Sequence, residues 1–137
     1  MFGNYKKYTL LILVVILIIV NIFLFRLEFK SQTGVLTFAM LDIGQGDGLF
    51  IESPTGTQIM FDAGPARKIL GPLARVMSPL DRHIDAIVIT NPDADHIAGF
   101  LDILKNYKVG LVLEPGTYND SKTYQNLKSE IKRQNIP

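Results

Sequence analysis

The stretch Leu10–Phe25 reads LLILVVILIIVNIFLF, and Tyr8 and Thr9 extend it. A helix needs about 17–25 predominantly apolar residues to span a bilayer, and this run lies near the lower end of that range. A helix packed on a soluble core carries polar residues at helical period, and none recur here. A cleaved signal peptide has a shorter apolar region followed by a small-residue cleavage site. Here the run ends in Phe23-Leu24-Phe25-Arg26. The reading favoured over both is a transmembrane anchor over residues 9–25, behind a short basic segment 1–8 and before a polar linker 26–34. Asn21 is its only strongly polar interior residue, and it sits near the end of the span, where a polar group costs less than at the centre. Lys6, Lys7 and the amino terminus precede the run, while Arg26 and Lys30 follow it, diluted by Glu28. By a thin margin the positive-inside rule predicts the N-terminus inside and the rest extracytoplasmic.

Residues 35–137 remain for a soluble part. The chain carries 14 basic and 13 acidic side chains, so the strongly basic balance of a dedicated nucleic-acid binder is absent. It has no cysteine, which excludes disulfides and thiolate metal sites. Any metal must be held by His, Asp, Glu or Asn.

Apolar patterning predicts three strands, Val35–Ile43, Leu49–Ser53 and Gln58–Asp62, separated by the glycine-rich turn Gly44–Gly48 and the turn Pro54–Thr57. They form an antiparallel meander. A short helix is expected from Pro72 and a buried strand over Ile84–Thr90. A helix follows over Ile97–Tyr107, with Ile97, Phe100, Leu101 and Leu104 on one face. A strand Val109–Leu113 and a last helix capped by Asn119 or Asp120 complete the series. Strands followed by β-α-β-α make an α/β fold with helices on one side of a sheet. The strands are near-continuous apolar runs, so the opposite sheet face is expected to be apolar too. The chain supplies nothing to cover it, and the sequence reads as an incomplete fold.

The run Thr90-Asn-Pro-Asp-Ala-Asp-His-Ile-Ala-Gly99 begins where a buried strand ends and stops where a helix starts. Ligands bind at such strand ends in α/β sheets. Asn91, Asp93 and Asp95 are spaced at two, so they face one way in extended chain, and His96 follows. Three oxygen donors and one imidazole suit a hard or borderline divalent cation. A plainer reading stands beside it: Asn-Pro starts a turn, Asp95 N-caps the next helix, and His96 lies on the surface. Asp47 is either a further site-lining residue or ordinary turn chemistry. Asp62 reads as a carboxylate that orients the metal loop from behind. His83 reads as an exposed loop residue.

Asp93, Asp95, His96 and Ile97-Ala-Gly99 resemble the motif of the metallo-β-lactamase superfamily in its ComEC-type form, in which Asp often takes the second His position. Leu41-Asp-Ile-Gly-Gln-Gly-Asp-Gly48 is similar to the ComEC-type Val-Gly-Gln-Gly-Asp signature, and Ile59-Met-Phe-Asp-Ala-Gly64 to the superfamily's strand ending in Asp-x-Gly. Three motifs in order are far more specific than one. The resemblance runs from about Val35 to the end, the N-terminal half of an αββα sandwich.

It implies a metal-dependent hydrolase using zinc or manganese, with Asp95 and His96 as catalytic metal ligands and Asp93 in a position usually given to His. Asn91, a weak neutral ligand, stands where the family has its first His. ComEC-type domains imply phosphodiester hydrolysis of DNA during uptake at the membrane. The family's remaining ligands come from its second half, so the expected partners are the membrane, DNA, and that missing half or a completing protein. The alternative is a non-catalytic, membrane-anchored scaffold or pseudoenzyme. Hydrolysis of a β-lactam or thioester on the same scaffold is a third reading, because fold does not fix substrate.

Overall fold

The structure is a computed structural model that describes residues 3–29 and 34–137. Helix α1 runs from Gly3 to Phe29. Its segment Tyr8–Phe25 has a mean hydropathy of 3.0 and none of it is buried. By length and composition it is the one helix among the described residues able to cross a membrane. The Asn21 side-chain amide donates to the Leu17 carbonyl at 2.8 Å, so the polar group is satisfied within its own helix. The helix continues through Phe29 into the segment expected to be linker, since Leu27, Glu28 and Phe29 contain no helix breaker. Residues 30–33 of that linker lie outside the described residues, as do residues 1–2 of the basic segment.

Five strands form one sheet in sequence order: β1 Thr37–Met40, β2 Leu49–Glu52, β3 Gln58–Phe61, β4 His83–Val88 and β5 Lys108–Leu113. The pairs β1–β2 and β2–β3 are antiparallel, whereas β3–β4 and β4–β5 are parallel. This is the expected meander followed by β-α-β-α. The parallel joins need crossovers, which α2 (Leu70–Val76), α3 (Ala94–Ile97) and α4 (Phe100–Asn106) provide. Helix α5, Lys122–Arg133, follows β5. Strand β1 is shorter than the apolar run around it. His83 is exposed but belongs to β4 rather than to a loop. Asp81 Oδ1 accepts from the His83 N–H at 2.9 Å and leads the chain into the strand.

Two local departures have clear causes. The helix expected over Ile97–Tyr107 is divided at Ala98-Gly99. The Gly99 N–H, which would close a helical turn, donates instead to the Gly64 carbonyl at 2.9 Å. The last helix is capped by Ser121, whose hydroxyl accepts from the Tyr124 N–H at 3.3 Å. Asn119 is used otherwise, its Oδ1 accepting from the Ser121 N–H at 2.7 Å.

One sheet face carries the row Ala39, Phe50, Met60, Ile87 and Val112. Phe50, Met60 and Ile87 are fully buried in a cluster with Leu73, Ile97, Phe100, Ile103 and Leu127 from the helices. Each such side chain contributes about 1.5–3 kcal/mol relative to exposure. The other face carries two rows, Phe38-Ile51-Ile59-Ala86-Leu111 and Met40-Leu49-Phe61-Val88-Leu113. All ten are apolar, yet Phe38, Met40 and Leu113 are 63%, 68% and 48% exposed. Among the described residues no layer covers this face.

Candidate metal centre

Three loops meet at the carboxyl ends of β3 and β4. The first is the turn Gly44–Gly48 before β2, the second is Asp62-Ala63-Gly64 after β3, and the third is Thr90–His96 after β4. The second and third are joined backbone to backbone. The Asp62 N–H donates to the Val88 carbonyl at 3.0 Å and the Ala63 N–H to the His96 carbonyl at 2.7 Å. A Cβ at Gly46 would stand 2.0 Å from the Asp95 carbonyl oxygen, and one at Gly99 would stand 2.1 Å from that of Ala63. Only glycine permits approach this close, so these glycines set the spacing of the loops.

Asp62 is buried and sits at φ 50°. Asp visits the left-handed region more readily than most residues, and strained backbone of this kind gathers at functional sites. Its Oδ1 accepts from the Thr90 N–H at 2.9 Å. Its Oδ2 accepts from the Thr90 hydroxyl and lies 2.9 Å from His96 Nδ1. A carboxylate accepts, so the imidazole carries its proton on Nδ1 and leaves the Nε2 lone pair for a ligand. The hydrogen bond to Asp62 raises the His96 pKa above its usual value, with Asp95 and Asp47 adding to the rise and burial opposing it.

Asp47 is well exposed, with Oδ2 3.9 Å from His96 Nδ1. One ligand atom from each of Asp47, Asp62 and His96 falls within 4.8 Å of the others. Two carboxylates and an imidazole are a donor set for a hard or borderline divalent cation. Within the trio the hydrogen bonds divide the labour: Asp62 is committed to Thr90 and His96, whereas Asp47 and the free imidazole nitrogen are available.

The other expected residues stand beside this trio. Asp95 is exposed in the first turn of α3. Asp93 precedes α3 in extended conformation and is gripped on both oxygens. Oδ2 accepts from the Asn91 amide at 3.2 Å and Oδ1 from the Asn119 amide at 3.0 Å, while Asn91 Oδ1 accepts from the Asp93 N–H at 3.2 Å. Asn91 is thus turned toward Asp93 as a hydrogen-bonding partner. Thr90 and Asn119 are the residues that sequence reasoning missed. Thr90 carried one usable signal, its place at the end of a buried strand next to the motif. Asn119 carried none.

The sequence pattern of the family described as the beta-lactamase superfamily domain matches residues 57–136, more than half of the chain. ComE operon protein 3 of Bacillus subtilis (strain 168) is similar at 30% identity over 66% of this chain. The similarity covers 14% of that protein's own length. The matched residues hold β3, the Asp62 loop, β4 and the whole Thr90–Gly99 motif, with the helices that pack behind them. On the family match and this fold together, the chain belongs to the metallo-β-lactamase superfamily and is ComEC-like within it.

Proposed function

We propose that this chain is the membrane-anchored N-terminal part of a metal-dependent phosphodiesterase domain that acts on DNA during its uptake. The superfamily implies divalent-metal binding, and the donor set fits such an ion. The observation that carries the reading is the Asp62–His96 pair. A buried carboxylate fixes the imidazole tautomer and leaves the Nε2 lone pair for a ligand, the arrangement that metal-ligating histidines need. His96 is then a ligand through Nε2. Asp47 is the carboxylate grouped with it, Asp93 and Asp95 from the adjoining motif are the further candidate ligands, and Asp62 holds the histidine from behind. When bound, the metal supplies Lewis-acid activation of water and of the phosphoryl oxygen. The apolar segment Tyr8–Phe25 supports a single-pass anchor, and the Lys6-Lys7 pair supports an extracytoplasmic domain. The uncovered apolar face supports a second layer, from a further part of the protein or from a partner. The ComEC-type motifs of the sequence are what favour DNA as substrate.

The test is metal content and affinity of the detergent-solubilised chain, by elemental analysis and calorimetry with zinc and with manganese, beside His96→Ala and Asp47→Ala. Stoichiometric binding abolished by His96→Ala is expected. Equal uptake by wild type and His96→Ala would remove the metal centre from the proposal. The scaffold reading keeps one specific support, since Asn91 is paired with Asp93 where the family has a histidine. Absence of any uptake would favour it.

A further inference from the structure

Asp47, Asp62 and Asp95 all press negative charge on His96. A polyanionic substrate approaches such a site only where cations meet it. Several basic side chains elsewhere are already engaged: Lys128 with Glu114, Arg133 with Glu130, Lys105 with Asp102, and Arg82 over the Tyr107 ring. Lys68 is exposed and takes part in none of the ion pairs found among the described residues.

Its position is built by the site's own loop. The chain leaves Asp62-Ala63-Gly64 and reaches Arg67, which sits at φ 68°, a region that side chains disfavour. Asp102 Oδ2, from α4, accepts from the Arg67 N–H at 2.8 Å and holds that conformation. The next residue, Lys68, is thereby laid against the turn Gly44–Gly48. A Cβ at Gly44 would stand 3.2 Å from Lys68 Nζ, so the bare glycine leaves room for the ammonium. Three residues further along the same turn is Asp47. Three residues span at most about 10 Å, whereas a nucleic-acid strand carries a charge about every 3.4 Å along its axis.

We propose that Lys68 binds a backbone phosphate flanking the scissile one, and so holds the substrate strand across the Gly44–Gly48 turn. The inference rests on the phosphodiesterase reading above and assigns it a substrate-positioning residue. Lysine suits the task as a point charge that contacts phosphate without reading sequence.

The experiment is fluorescence anisotropy of a labelled single-stranded oligonucleotide of about 12 nucleotides, titrated with the full chain in detergent over a series of salt concentrations. Variants are Lys68→Ala, Lys68→Arg and, as a remote control, Lys128→Ala. One lost phosphate contact on a single strand removes about 0.7 from the salt slope, or about five-fold in affinity at 0.1 M salt. Lys68→Ala is expected to show both losses, while Lys68→Arg and Lys128→Ala retain wild-type values. Binding by wild type with Lys68→Ala unchanged overturns the inference and leaves the phosphodiesterase reading standing. Failure of wild type to bind the oligonucleotide overturns both. Full displacement of the strand by an equal concentration of inorganic phosphate would assign Lys68 to free phosphate and overturn its role on a strand.

Discussion

His96 and Asp62 act as one unit, and their coupling sets the first expected outcomes. The Asp62 hydrogen bond raises the His96 pKa. The folded state therefore favours protonated His96, and the stability this adds is present below the unfolded value of about 6.5. It is lost as pH rises through the raised value. Metal competes with that proton, so affinity at His96 falls as the solution is acidified through the same window. An NMR titration of His96 is expected to give a midpoint above that of an unperturbed histidine, and Asp62→Asn to move it down. Asp62→Asn should also cost about 10–100-fold in metal affinity, as loss of a histidine's supporting partner does. Gly46→Ala tests the loop spacing. Its Cβ would collide with the Asp95 carbonyl, and φ 81° is unfavourable for alanine. Urea titration should show a loss of at least about 1–3 kcal/mol. Asp47, Asp62 and His96 were legible in the sequence because each sits inside a motif of its own. The Asn119–Asp93 hydrogen bond was not, because it joins residues 26 apart in the chain and depends on where α5 begins.

The strands were readable from their apolar runs, since burial on a sheet face is written in residue type. The helix boundaries were less so, because a long-range bond sets one of them. Gly99 gives its N–H to Gly64 and so divides α3 from α4, a competition that no local propensity encodes. The α5 cap went to Ser121 because Asn119 was drawn to Asp93 and to the Ser121 N–H. Ser121→Ala should cost about 1 kcal/mol. Amide hydrogen exchange in the first turn of α5, led by Tyr124, is expected to speed up accordingly. Unchanged protection there would show that the hydroxyl adds nothing to the helix start.

At the scale of the whole molecule, the sheet is covered by helices on one face and, among the described residues, open on the other. The apolar patterning anticipated both faces but not their register, which places ten apolar side chains in two straight rows. An apolar face of this extent marks an interaction surface or an aggregation liability. The chain in detergent is expected to bind an environment-sensitive apolar dye, and the pair Phe38→Thr, Met40→Lys to reduce that signal measurably. A dye signal equal in both would place the apolar surface elsewhere. The same register fixes which end of the sheet is which. The row Met40-Leu49-Phe61-Val88-Leu113 lies at the end with the Asp62 and Thr90 loops, and the chain arriving from α1 joins the sheet at Thr37, the opposite end. In the membrane-anchored phosphodiesterase proposed above, the strand ends that carry the Asp62 and Thr90 loops are thus the ones remote from where the chain from the anchor enters the sheet. Under that proposal, tethering would raise the effective concentration of the site toward strands already at the surface, so that modest affinity per encounter would be enough for capture.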